Sequence, residues 1–184
     1  MNWRMIYLAT VGLVLAGIVH IAIVLLIPQY GTRGAWAFLS GRTDLYAFSP
    51  LKAEETGSAI SEVDPFFTYG ICRFDLREAG LRMAGPEVSS FWSASVFDES
   101  GAVVYSLNNR TAIDNKLDIM VISPLQGLEM REAQIDQLEA AVIIEASIEK
   151  GFVIIRVFEP DSSWAEENER FLREIDCKPF LIGS

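Results

Sequence analysis

Histidine is nearly absent from this chain. Of 184 residues only His20 is one, and it lies in an apolar stretch near the N-terminus, so everything after it lacks an imidazole. That removes Ser-His-Asp and Cys-His catalysis, HExxH zinc sites and the two-His metal triad. The glycine-rich phosphate loops are missing as well, as are GxSxG and the EF-hand loop. Basic charge is scarce: 15 Lys and Arg stand against 25 Asp and Glu, a net charge of −10. Nucleic acid is therefore not an expected partner, because its phosphates call for clustered cations. Only two cysteines occur, well apart and without a CxxC. No cofactor or metal site is expected. An enzyme made from this chain would have to work with carboxylates, Ser, Lys, Tyr or Arg.

What is present is unevenly spread. The chain is 51% hydrophobic with a mean hydropathy of +0.26, although 22% of it is charged. Much of the apolar content sits in the run Ile6–Ile27, which contains no formal charge and only Tyr7, Thr10 and His20 as polar interruptions. A helix of that length reaches roughly 33 Å at ~1.5 Å per residue, enough for a bilayer core of about 30 Å. Pro28 follows, and Trp3, Tyr7 and Tyr30 stand where an aromatic belt would lie. The competing reading is a cleaved signal peptide, but its apolar region should be only about 7–15 residues long and end in small residues. Leu26-Ile27-Pro28-Gln29-Tyr30 offers no such ending. Residues 1–28 are read as an uncleaved transmembrane anchor in contact with lipid over residues 6–27. His20 is read as a neutral imidazole near the end of the span, since one ionisable group without an intramembrane partner makes no proton relay.

Arg4 precedes the span, and Arg33 and Arg42 follow it, so the basic residues alone do not orient it. All 25 acidic residues come after it, which suits the outside better than an anionic cytoplasmic leaflet. The cysteines favour an oxidising compartment. The expectation is a bacterial inner-membrane protein with a cytoplasmic N-terminus and a periplasmic domain.

Residues 29–63 read as a juxtamembrane tether, punctuated by Gly31, Gly34, Gly41, Pro50 and Gly57. Within it, Ala35–Leu39 is either an amphipathic turn on the bilayer surface or a segment docked on the domain. Residues 64–184 change to short apolar runs divided by turns. Phe66–Leu76 is strand-like. Phe91–Phe97 and Ala102–Leu107 flank Asp98-Glu99-Ser100-Gly101 and predict a β-hairpin. Leu117–Ser123 is a strand ended by Pro124. Ala140–Ser147 and Phe152–Phe158 suggest a second hairpin around Glu149-Lys150-Gly151, although the first arm also fits a helix begun near Glu132. Ser163-Trp164-Ala165-Glu166 fits a capping box, opening a helix whose stripe Trp164, Phe171, Leu172 and Ile175 packs on the sheet. The fold class is mainly β, sandwich-like or α+β, with a C-terminal α-helix and one N-terminal transmembrane helix.

Candidate sites are few. Asp75, Asp98, Glu99, Asp114 and Asp118 lie near strand ends, and two of them would make the acid and base of a hydrolase. Asn108-Asn109-Arg110 is a polar cluster, read either as an anion site or as a turn with Asn in a left-handed conformation. Cys72 and Cys177 are expected to form a disulfide. In the hairpin, Phe91, Ser93, Ser95 and Phe97 share one face, and Trp92, Ala94, Val96 and Asp98 share the other. Neither face is cleanly polar, so the strand should be covered on both sides. The domain core is one cover and a second protein is a candidate for the other, which puts one of Phe91 and Trp92 at an interface.

The segments Cys72–Leu76, Phe91–Asp98, Tyr105–Arg110 and Gly151–Val157 occur in an order that resembles a bacterial family, the one catalogued as domain of unknown function 1254 in its short, membrane-anchored form. The similarity runs from about Asp64 to Cys177, plus the anchor, and is most specific in the FWSxSVFD-to-YSLNxR hairpin. It implies a Gram-negative envelope protein with a β-rich domain. Larger relatives fuse that domain to a second uncharacterised one (unknown function 1214), and short forms are often encoded beside it. No catalytic residues come with it. The function expected is an interaction module for a partner membrane or periplasmic protein. The alternatives are a small-ligand or glycan binder and a carboxylate-based hydrolase.

Overall fold

The computed structural model describes residues 3–31, 33–51, 64–133 and 141–181. It opens with α1 (Trp3–Gly31), of which Trp3–Leu26 is long and apolar enough to cross a membrane and is not buried against the rest of the chain. The short helix α2 (Arg33–Ser40) follows directly. The remainder is a two-sheet sandwich, mainly β as its sequence pattern implies.

Sheet A has five strands in the order β1 (Phe48–Leu51), β2 (Phe67–Asp75), β8 (Lys150–Phe158), β4 (Trp92–Asp98) and β5 (Val103–Asn108), all antiparallel. Sheet B has four, in the order β7 (Val142–Glu145), β6 (Lys116–Ile122), β3 (Gly80–Glu87) and β9 (Asp176–Phe180). Its pairs are antiparallel except β6–β7, which is parallel. Two further helices, α3 (Pro124–Glu132) and α4 (Ala165–Glu174), complete it.

Period-2 alternation builds the core. Cys72 and Phe74 of β2, Trp92, Ala94 and Val96 of β4, and Val153, Ile155 and Val157 of β8 point inward from sheet A. Leu81 and Met83 of β3 and Leu117, Ile119 and Val121 of β6 meet them from sheet B. Phe171 and Leu172 of α4 and Ile175 just after it close the same cluster, as the apolar stripe predicts, while Trp164, the stripe's first residue, caps the helix outside the cluster. Cys72 on β2 and Cys177 on β9 form the expected disulfide, with 6.5 Å between their Cα atoms, and so join the two sheets. At Gly151 the strands come so close that a Cβ would run into the Phe97 carbonyl and the Phe74 ring.

The β4–β5 hairpin forms as expected, with Gly101 at φ 86° in its turn and the Asp98 carboxylate accepting from the Ser100 and Ala102 amides. The second hairpin does not. β7 is a strand, but it pairs with β6 in sheet B, while β8 enters the middle of sheet A with β2 and β4 already on its two sides. Both edges of β8 are occupied, so the preceding strand has no place beside it. The helical alternative for that arm, begun near Glu132, lies partly outside the described residues, and over Val142–Glu145 the arm is strand. β3 and β9 were not anticipated, and the tether contributes β1 to sheet A.

The capping box also lies elsewhere. Ser163 gives its hydroxyl to Asp161 at 2.5 Å, and α4 begins after Trp164 without a side-chain cap. It is α3 that has the reciprocal box, in which the Ser123 hydroxyl accepts from the Gln126 amide and Gln126 accepts from the Ser123 amide, with Pro124 at the first helical position.

Candidate functional site

The outer face of sheet A is covered at one end and open at the other. Register places it in rows. Phe67, Phe158 and Phe91 form one row across β2, β8 and the start of β4. Tyr69, Arg156, Ser93 and Asn108 form the next, then Ile71, Ile154, Ser95 and Ser106, and then Arg73, Phe152 and Phe97.

One end of this face is covered by the chain itself. Leu39 of α2 is buried against Ile71 and Phe152, with Trp36 and Phe38 beside it. Ala35–Leu39 therefore docks on the domain, one of its two expected placements. Arg73 locks this docking: it is only 6% exposed, its guanidinium lies 4.2 Å over the Trp36 ring, and it donates to the Thr43 carbonyl at 2.6 Å. Burial lowers the pKa of Arg73, with Asp44 acting the other way. Tyr46, at φ 55°, carries the chain on toward β1, and its hydroxyl donates to the Asp75 carbonyl at 2.6 Å.

The other end is open. Phe91 and Phe158 are 38% and 37% exposed, and Phe66 beside them is more so. The Phe67 and Phe158 rings are 5.4 Å apart, and Arg156 lies 5.5 Å from the Phe67 centroid. Arg156 spends one donor on the Ser93 hydroxyl, 2.6 Å away, and has no carboxylate partner among the described residues. Asn168, fully buried on α4, holds this end from beneath by donating to the Phe158 carbonyl and accepting from Ser90.

The strand faces divide as alternation predicts. Trp92 is completely buried, with its indole N–H unpartnered, so it belongs to the core. Of the two interface candidates only Phe91 reaches the surface.

No two of the candidate carboxylates are brought together as an acid–base pair. Asp75 is buried and held by Arg77 through bonds of 2.9 and 2.6 Å, with the Lys150 ammonium at 3.8 Å. The Arg77 hydrogen bonds outweigh burial and keep the Asp75 carboxyl below its usual range. For Asp98, burial acts upward, but hydrogen bonds from Ser100, Ala102 and Gly101 prevail and lower it. Asp118 pairs with Arg82 at 3.0 Å, and Glu99 and Asp114 are exposed. Among the described residues no three His, Cys, Asp or Glu gather as metal ligands.

Asn108-Asn109-Arg110 is a turn. Asn108 accepts from the Arg110 amide at 2.9 Å, and its own amide donates to Thr111. Neither asparagine is left-handed; that conformation falls to Asp114 and Asn115 a few residues on. Sequence reasoning marked Trp36 only as part of Ala35–Leu39 and passed over Arg73, Tyr46, Arg156 and Asn168 as site residues. Arg156 did carry a signal, as the one charge within the apolar run Phe152–Phe158.

No family model matches the chain, and no curated protein does. Among solved structures, the crystal structure of the VPA0106 protein from Vibrio parahaemolyticus matches with a TM-score of 0.60 at 10% identity, over 83% of this chain and 36% of that one. An uncharacterized protein from Burkholderia cenocepacia gives 0.49 at 14% identity, over 76% and 35%. The likeness to the Vibrio protein is one of fold, and this chain spans about a third of that protein's length.

Proposed function

We propose that this chain is a single-span envelope protein of the kind its resemblance to the short form of domain of unknown function 1254 implies, with a periplasmic sandwich that serves as an interaction module. The observation that carries the reading is the row Phe67–Phe158–Phe91 with Arg156 beside it, of which Phe158, Phe91 and Arg156 are exposed, on a sheet whose other end α2 closes. A row of aromatics with an arginine that lacks an acid partner is the composition of a protein-binding hot spot. The fold also occurs within the longer Vibrio chain, which supports a module that works beside further protein. In this reading α1 stays in the inner membrane, and the disulfide and the acidic domain belong to an oxidising exterior.

The test pairs Phe91→Ala with Trp92→Ala in the full-length chain, measuring melting and co-purification from native membranes. Loss of a partner with folding intact in Phe91→Ala supports the module; unchanged recovery of every associated protein refutes it. Protease added to spheroplasts should digest the domain, and protection there would reverse the orientation.

A glycan or small-ligand site is the second reading, favoured by the polar row Tyr69, Arg156, Ser93 and Asn108 running alongside the phenylalanines. Saturable binding of a soluble saccharide, abolished by Arg156→Ala, would select it over the protein partner.

A further inference from the structure

The chain enters the sandwich from α1 at one particular end. Trp36 of α2 lies over Arg73, with the Lys150 ammonium 5.8 Å from its ring, whereas Leu39 reaches Ile71 and Phe152 further along the same strands. α2 therefore runs inward from the end of sheet A where β2 finishes at Asp75, opposite Lys150. Ten residues separate Leu26 from Trp36 along α1 and α2. At ~1.5 Å each they keep this end of the domain within about 15 Å of the apolar span, beside a headgroup layer that is itself roughly 5–8 Å thick.

α3 starts at the same end. β6 finishes there, with Val121 opposite Leu81, and the Gln126 side chain donates to the Leu76 carbonyl of the β2–β3 turn at 3.1 Å. On α3, Gly127 and Met130 are buried, while Leu125 and Leu128, three residues apart on the other side, are 65% and 50% exposed. The cations at this end are paired within the chain: Arg77 with Asp75 and Glu149, Lys150 with Asp75, and Arg131 with Glu145. Exposed Asp44, Glu78 and Glu99 add negative charge, so acidic headgroups would be repelled here and apolar contact is what remains.

We infer that this end of the sandwich stands on the bilayer, with Leu125 and Leu128 set into the headgroup layer of neutral, zwitterionic lipid. α2 and α3 lie on the outer faces of the two sheets, so the domain stands end-on between them. The inference takes the reading of α1 as an anchor as its premise and makes no use of the phenylalanine row. It does place that row. β2 runs nine residues from Phe67 to Asp75, which at ~3.4 Å per residue holds Phe67 and its neighbours roughly 27 Å from the docked end, facing away from the lipid.

The experiment uses the full-length protein, its native cysteines oxidised, reconstituted into phosphatidylcholine bilayers. An environment-sensitive fluorophore is attached at Leu128→Cys, at Glu78→Cys in the β2–β3 turn, or at Ser162→Cys between β8 and α4, at the far end. Lipids carrying a nitroxide are the quencher. Quenching at positions 78 and 128 should be at least about threefold stronger than at 162 and should persist when salt is raised to about 0.5 M. Adding Leu125→Asp and Leu128→Asp to the Glu78→Cys chain should bring its quenching down to the level at 162 without changing its melting. Phe91→Ala should leave every value as it was, which keeps this result separate from the partner reading. Equal quenching at the two ends, quenching at 78 that survives both aspartates, or a label at 128 that a co-purifying protein shields from the nitroxide would each overturn the inference. Extraction of the protein by alkaline carbonate would overturn the anchor, and this inference with it; retention in the membrane with equal quenching would overturn the inference alone.

Discussion

On the outer face of sheet B, Met130 of α3 lies over Met120 and Ile122, and Arg82–Asp118 and Arg131–Glu145 pair the charges nearby. On the outer face of sheet A, α2 does the same for Ile71 and Phe152, yet Phe91, Phe158 and Arg156 beyond its reach stay in the open. Both faces belong to one sandwich and are covered by short helices from the same chain. The contrast separates what this chain buries within itself from what it leaves exposed. Large exposed aromatics aligned by register on one sheet cost solubility, and among the described residues Phe91 and Phe158 are so aligned at the uncovered end of sheet A.

Substitutions on the two sides of β4 break the comparison most sharply. Trp92→Ala removes the largest fully buried side chain and should cost about 3–5 kcal/mol in denaturant melts. Its neighbour Phe91, on the other face, is the control below. Next in size, Cys72→Ser with Cys177→Ser should lower stability by about 2–4 kcal/mol, measured without reductant. Trp36→Ala tests whether α2 belongs to the domain: loss of its contact with Arg73 should cost ~1–2 kcal/mol and make residues 33–51 easier to cleave in limited proteolysis. Acid should act through Asp75. Its carboxyl is lowered in the fold, so its contribution is complete above the unfolded value of about 3.9 and is lost as pH falls through the lowered one. Melts in an Asp75→Asn variant should be flatter across that acidic range. Phe91→Ala should have the smallest effect on stability, under about 1 kcal/mol, whatever it does to binding.

The parts of the fold that were legible in the sequence are those whose signal is local. Asp98–Gly101 between two apolar runs specifies a hairpin because the turn and both arms lie within a few residues. Period 2 along Phe91–Asp98 assigned Trp92 and Phe91 to opposite faces, and the structure gives them opposite burial. The β7–β8 hairpin failed because a strand's partner is set by the whole sheet, and adjacency in sequence says nothing about which sheet a buried run joins. β3 was hidden by Gly80, Gly85 and Pro86, although Leu81 and Met83 alternate with Arg82 as a half-buried strand should. β9 holds Pro179, which an edge strand tolerates and an interior strand does not. The two S-x-x-E/Q stretches were indistinguishable by pattern; Asp161, two residues before Ser163, took the hydroxyl that a cap would have needed. Of the candidate site, Phe91 was legible and Arg156 was marked only as a lone charge in an apolar run, because the two meet in adjacent rows across β2, β8 and β4, which lie far apart along the chain.

The bond between Cys72 and Cys177 closes a loop of 105 residues that contains β3 to β8 and all of α3 and α4. A protease that cuts once anywhere inside that loop produces two fragments that remain covalently tied. On a gel run without reductant such a nicked chain migrates as a single species of full mass, and only thiol reveals the break. Digestion of spheroplasts must therefore be followed on paired gels, with and without reductant. On the reading of α1 as an anchor, release of the domain requires a cut before Cys72, and because α2 and β1 themselves pack on sheet A, only a cut ahead of α2 carries the whole sandwich away.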